Sequence, residues 1–209
     1  MKIICIIFSI LLFSTTDCFA KSTYIGHYVT IPHLHKIYNE VKQKSNVSQR
    51  ALSRAFKFYE RNCYKKQLST KYIAIADYTK TAMKKRLYII NLHSGRVYRY
   101  LVAHGRNSGA KGGRVWRSSN KIGSYMTPFG FFKIGSKEGI TVKKKYKYLS
   151  VEGLEEKNKN VKKRDILMHT ANYVEWGGKS YGCFAIRPQD KDEIFSKLKT
   201  AMLYSYTGR

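Results

Sequence analysis

Carboxylates are scarce in this chain: 13 Asp and Glu stand against 40 Lys and Arg in 209 residues, a formal net charge of +27. Such an excess favours contact with polyanions and speaks to solubility and nonspecific binding rather than to fold or reaction. Lys143-Lys144-Lys145 and Lys162-Lys163-Arg164 carry part of it, and a solvated lysine-rich surface accounts for them equally well. Cysteine is rare too. Two of the four fall in the first 20 residues, which leaves Cys63 and Cys183. No paired-Cys or Cys/His spacing builds a zinc site, so no metal or other cofactor is expected. A disulfide between those two is open to them in an oxidising compartment; the distance in sequence between Cys183 and the helical segment around Cys63 argues against it. No apolar run is long enough to cross a membrane. The Gly-rich stretch 105–125 lacks the strand, lysine and helix of a phosphate-cradling loop.

The apolar run that is present lies at the start. Lys2 gives a basic opening, Ile3 to Phe13 an apolar core and Cys18-Phe19-Ala20 a small-residue exit, the order of a secretory signal. A lipoprotein reading would acylate Cys18, and Thr16 and Asp17 suit that poorly. The mature protein is therefore expected to begin near Lys21, outside the cytoplasm, in the periplasm or cell envelope, and not to be integral to the membrane. Export turns the basic surface toward anionic envelope polymers and away from nucleic acid. Length implies one main domain. The expected division is a signal over 1–20, a polar segment with a helix over 21–68, and the main domain over 69–209.

Residues 21–46 read as polar and irregular, with Pro32 and the scattered His27, His33 and His35 more consistent with surface than with ligands. From Ser48, a plausible N-cap, the residues Val47, Ala51, Leu52, Ala55, Phe56 and Tyr59 fall on one helical face. Strands are expected at Tyr72–Asp77, at Arg86–Asn91 and Val97–Val102 joined as a hairpin through His93-Ser94-Gly95, and at Phe131–Ile134 after Pro128-Phe129-Gly130. A loop as long as 105–125 within a compact domain is functional or disordered. A closing helix is expected over Asp190 to Leu203, with Asp190 as N-cap and Ile194, Leu198 and Met202 recurring every four residues. The fold class is mainly β with flanking helices (α+β).

The stretch with chemical content is 165–188. Ile166-Leu167-Met168 reads as a buried strand that delivers His169 at its end, and fourteen residues later Gly182 precedes Cys183. A Cys that attacks a carbonyl needs a base to form thiolate and donors for the developing oxyanion. Glycine permits close backbone approach, so the N–H groups of Gly182 and Cys183 are candidate donors. A lone Cys in an apolar setting is more often a small core residue, and a lone His at a strand end often only a hydrogen-bonding one. Spacing by itself leaves both readings open.

His169 followed by Ser180-Tyr181-Gly182-Cys183-Phe184-Ala185 resembles the L,D-transpeptidase catalytic domain, in its murein L,D-transpeptidase branch. The likeness covers roughly residues 50–187. It includes Val102-Ala103-His104-Gly105, Ser119-Asn120 through Phe132, and Tyr148 to Glu155 with the asparagine-bearing turn after it. It implies a β-sandwich catalytic domain preceded by a helix, with Cys183 as nucleophile, His169 as base, the Thr170 carbonyl orienting His169, and the 105–125 loop as one wall of a substrate groove. His104, Ser180, Tyr181 and Arg187 are the candidate substrate-binding residues, with His104 also readable as a structural partner of the loop after it. The implied reaction cuts a peptidoglycan tetrapeptide stem before its terminal D-alanine, leaves a thioester, and resolves it with another stem's amine as a 3-3 crosslink. With water as acceptor the same acyl-enzyme makes an L,D-carboxypeptidase or endopeptidase. A non-catalytic cationic wall-binding protein is the rival from another class; a papain-like peptidase lacks its orienting residue and its N-terminal Cys helix. The chain departs from the family pattern at Thr170, where Gly is usual, at Phe184, where Pro is common, and at Ala185, where other branches carry Arg.

Overall fold

The computed structural model describes residues 30–208; the signal segment and His27 lie outside them. Two helices open the described chain, α1 (Ile31–Lys44) and α2 (Gln49–Asn62). The first corrects the irregular reading of this region. Thr30 caps it by accepting from the His33 N–H at 3.3 Å, Pro32 sits in the first turn, and Leu34, Ile37 and Val41 make a thin buried stripe. Three apolar positions among many polar ones give a weak periodic signal, which packing on α2 completes. α2 begins where its N-cap Ser48 places it, and Ala51, Leu52, Ala55, Phe56 and Tyr59 are all buried. The Ser48 N–H also donates to the buried Asp77 carboxylate at 3.2 Å, tying the helix start to the first strand.

The sheet strands are β1 (Tyr72–Asp77), β2 (Leu87–Asn91), β3 (Val97–Tyr100), β5 (Gly130–Ile140), β6 (Lys147–Gly153), β7 (Leu167–Thr170), β9 (Phe184–Ile186) and β10 (Met202–Tyr206). They lie in the order β3-β2-β1-β10-β5-β6-β7-β9, while β4 (His104–Gly105) and β8 (Lys179–Ser180) form a separate parallel pair. One face of β1, β2 and β10 packs on α1 and α2 through Ile73, Ile75, Tyr88, Ile90, Met202 and Tyr204. The other face is a second core of Ala74, Leu87, Ile89, Leu203, Phe132, Met168, Phe184 and the apolar side of α3 (Lys191–Leu198).

That second core shows the sheet to be rolled. Phe132 on β5 and Phe184 on β9 meet edge to face with centroids 5.6 Å apart, although three strand spacings, about 14 Å, would separate them in a flat sheet. The roll brings the segment after β3 onto β9, where the Ala103 N–H donates to the Ala185 carbonyl at 2.9 Å. The architecture is thus α+β and sandwich-like, with helices outside.

The chain's end departs from expectation. α3 stops at Leu198, and Thr200, at φ +61°, turns the chain into β10, a central strand parallel to β1 and antiparallel to β5. Met202 continues the helical spacing of Ile194 and Leu198, yet it belongs to this strand. Asp190 does not cap α3 with its side chain; its carboxylate binds Arg187. β5 also runs on to Ile140, past a register shift between Ile134 and Glu138.

Candidate active site

β7 and β9 are parallel neighbours, with Met168 opposite Phe184 and His169 opposite Ala185. Met168 and Phe184 point into the core. Strand alternation therefore sends His169 out on the opposite face, together with Cys183, the residue before β9. The apolar run from Ile166 makes β7 a buried strand, and its end is where His169 emerges.

His169 is 6% exposed, and its Nδ1 lies 3.0 Å from the Thr170 carbonyl oxygen. A bond to that acceptor puts the proton on Nδ1 and leaves Nε2 as the basic nitrogen. Burial holds the imidazole pKa below its ordinary value, so the ring is neutral at pH 7. Tyr146, which sequence reasoning passed over, stacks flat on the imidazole at 5.0 Å between centroids and 6° between planes.

Cys183 is partly buried, and its thiol donates to the Asp165 carbonyl, with Sγ 3.5 Å from the oxygen. Desolvation pushes this thiol upward; the Leu167 N–H, the Arg164 guanidinium and the Cys183 N–H pull the other way. Arg164 is the site residue that the sequence reading left without a role. It donates to the Ser119 carbonyl at 2.7 Å and the Met126 carbonyl at 2.6 Å, so one guanidinium fastens the 119–126 loop near Cys183. Its signal in the sequence is thin: one more Arg after two Lys, in a chain full of cations.

Gly182 has φ +121°, a backbone state that side chains disfavour, and a Cβ there would meet the Met126 oxygen at 2.9 Å, Ile166 Cδ1 at 3.0 Å and Arg164 Nη2 at 3.1 Å. Gly182→Ala is expected to destabilise the protein by about 1–3 kcal/mol, read as a lowered Tm, and to lower the reactivity of Cys183 toward a small alkylating agent. The Gly182 N–H is not free for an oxyanion: it donates to Ser180 Oγ at 3.0 Å, and that hydroxyl in turn donates to the Cys183 carbonyl at 2.8 Å. This corrects two expectations together. Ser180, buried at 3% exposure, commits its hydroxyl to the turn that carries Cys183.

The Arg187 and His104 side chains are likewise engaged within the protein. Arg187 makes a two-point contact with Asp190 at 2.7 and 2.8 Å, and Glu175 lies 3.9 Å away. His104 is fully buried, with Arg86 Nη2 2.9 Å from its Nδ1. Arg86, itself buried, also donates to the Val102 and Lys80 carbonyls and lies over the Tyr78 ring, so the pair joins β2 to the start of the long loop. Burial and the Arg86 charge lower the His104 pKa to about 4. Neutral when folded down to about pH 4, His104 takes up a proton on unfolding between about pH 4 and 6.5. Stability is therefore full above pH 6.5 and is lost as pH falls toward 4, by on the order of 2 kcal/mol from this group. Thermal melts of the protein and of His104→Asn between pH 7 and 4 should show a flatter pH dependence in the variant.

Tyr181 stands at the surface, 65% exposed, with its ring edge-on to Tyr125 at 5.5 Å. The loop from Gly105 runs along the turn that carries Cys183, the Arg106 N–H donating to the Ser180 carbonyl at 2.7 Å. Cys63 and Cys183 are not joined. Among the described residues no group of three or more His, Cys, Asp or Glu is placed to hold a metal ion, and none of their helices is long and apolar enough to cross a membrane. A cavity of about 490 Å³ opens elsewhere, between Arg54, Phe129, Phe131, Lys157 and Tyr204, and neither Cys183 nor His169 lines it.

The rolled sheet thus presents a Gly-Cys turn and a carbonyl-held histidine from two neighbouring parallel strands. The chain matches the L,D-transpeptidase catalytic domain family over residues 43–206 and belongs to that family. The match runs beyond the stretch of resemblance at both ends and takes in β10. No curated protein and no solved structure matches the chain.

Proposed function

We propose that the protein is an exported cysteine L,D-transpeptidase that acts on peptidoglycan tetrapeptide stems through a thioester on Cys183. The observation that carries the reading is His169: its Nδ1 is committed to the Thr170 carbonyl, its ring is buried and neutral, and it emerges on the Cys183 face across two parallel strands. In the free protein the thiol faces Asp165. Rotation about the Cys183 Cα–Cβ bond turns it to His169 Nε2, which takes its proton. The sulfur then adds to the carbonyl carbon of the stem's diamino acid, and the oxyanion forms at the Cys183 N–H. As the C–N bond breaks, the imidazolium returns the proton to the departing D-alanine amine. A second stem's amine attacks the thioester and gives up a proton to His169; the C–S bond breaks, the imidazolium returns the proton to the Cys183 sulfur, and the 3-3 crosslinked product leaves.

Intact-protein mass spectrometry after mixing the protein with purified tetrapeptide muropeptides tests this. A mass gain equal to the stem less D-alanine, mapped to Cys183 by digestion and followed by crosslinked dimers, is the expected result. The same adduct followed only by tripeptide would make the enzyme an L,D-carboxypeptidase. A folded protein that binds the stems and forms no adduct would be a wall-binding module.

A further inference from the structure

We infer that Arg106, clamped between Tyr125 and Tyr181, is a carboxylate-binding subsite beside the nucleophile that takes the free carboxyl end of the donor stem; the inference rests on the proposed function. The guanidinium carbon of Arg106 lies 4.7 Å from the Tyr125 ring centroid and 5.1 Å from that of Tyr181. Contacts of this kind use the flat faces of a guanidinium and leave its in-plane N–H groups pointing outward. Among the described residues no hydrogen bond or ion pair of the Arg106 side chain consumes those donors, and the side chain is exposed. The other two arginines near the site are spent, Arg164 on two carbonyls and Arg187 on Asp190.

The clamp is fixed to the reaction centre from both sides. Tyr181 is two residues before Cys183, and the Arg106 N–H is bonded to the Ser180 carbonyl at 2.7 Å. Tyr125 holds φ at +50°, a state costly for an aromatic residue, with its carbonyl accepting from the Asn107 N–H at 3.3 Å and the Asn107 side chain bonded to Ser124 at 3.0 Å. Two tyrosines thus restrict a side chain that would otherwise lose much rotamer freedom on binding. A fork of donors in one plane, preset and unpaired, matches a carboxylate at two points. A stem cut before its last residue carries such a group one residue from the scissile bond. Recognition of it selects the stem's free end and discriminates against a stem whose terminal carboxyl is already in amide linkage.

The test uses the full chain with Cys183→Ala, which cannot be acylated, and two tetrapeptide stems that differ only in a free or an amidated C-terminal carboxyl. Calorimetric titration should give a Kd about ten- to thirtyfold lower for the free acid. Arg106→Gln, an exposed change whose folding is checked by Tm, should raise the Kd for the acid to that of the amide and leave the amide unmoved. Arg106→Lys should fall between. Equal loss for both stems in Arg106→Gln, or no preference for the acid in the parent, overturns the subsite. The acyl-enzyme adduct on the protein with Cys183 intact separates the two failures. An adduct without carboxylate preference sinks the subsite alone, and absence of any adduct sinks the transpeptidase reading with it.

Discussion

Cys183→Ala is expected to abolish acyl transfer outright, and His169→Gln to lower kcat/KM by about 10²–10⁴-fold with only a small change in Tm. The thiol is partly desolvated and its pKa is raised, so little thiolate exists at pH 7 without a base. The proposed base, His169, is an imidazole whose own pKa burial has lowered. On the proposed mechanism, proton transfer therefore accompanies attack and does not precede it. The sign of the pH dependence follows. As pH falls, His169 protonates only below its ordinary value of 6.5, so the acid limb of kcat/KM should lie below that pH. In His169→Gln that limb should vanish, and residual activity should rise with pH toward the raised pKa of the thiol. Steady-state release of D-alanine between pH 5 and 9 measures both limbs. A His169→Gln variant with wild-type kcat would remove the imidazole from the mechanism.

The elements legible in the sequence were those whose stability is local or whose pattern is full. α2 shows its cap and its stripe in Ser48, Ala51, Leu52, Ala55, Phe56 and Tyr59; β1 and β2 are short apolar runs between turn residues. β10 was hidden for a physical reason. Met-Leu-Tyr-Ser-Tyr is buried on both faces because α1 and α2 cover one and the second core the other, so it lacks alternation, and Met202 happens to extend the four-residue spacing of α3. α1 was hidden because its stripe is one residue wide and finds its partner in α2.

The site divides along similar lines. Cys183, His169 and the orienting Thr170 carbonyl belong to contiguous motif segments, and their placement is set by one parallel strand pair. The side-chain bonds of Ser180, Arg187 and His104 are not written in spacing. Ser180 closes on its own turn, Arg187 finds Asp190 three residues on, and His104 meets Arg86 across the hairpin. Tyr146 and Arg164 were passed over because each reaches the site from a polar, lysine-rich stretch in which nothing local marks one side chain out. Polar residues whose partners are distant in sequence are the ones that only the folded chain identifies.

Arg164→Met should lower kcat/KM by about 30–100-fold, through two separable losses. The first is mechanical. Arg164 holds the Ser119 and Met126 carbonyls at 2.7 and 2.6 Å, and the Met126 oxygen is also the atom that a Cβ on Gly182 would strike first. Freeing it loosens the loop exactly where it abuts the nucleophile turn, at a cost of about 1.5–3 kcal/mol for each charge-assisted bond removed. The second loss is electrostatic. Desolvation lowers the Arg164 pKa from its ordinary guanidinium value, and the Arg164 charge favours the Cys183 thiolate. Its removal should move the pH midpoint of Cys183 alkylation upward. Arg164→Lys separates the two: a point charge preserves most of the field on the sulfur and cannot hold two carbonyls in one plane. The lysine variant is therefore expected to keep an alkylation midpoint near that of the parent while its Tm and kcat/KM fall toward those of Arg164→Met. If Arg164→Met left both the midpoint and kcat/KM unchanged, the arginine would be a surface cation that happens to lie near the site.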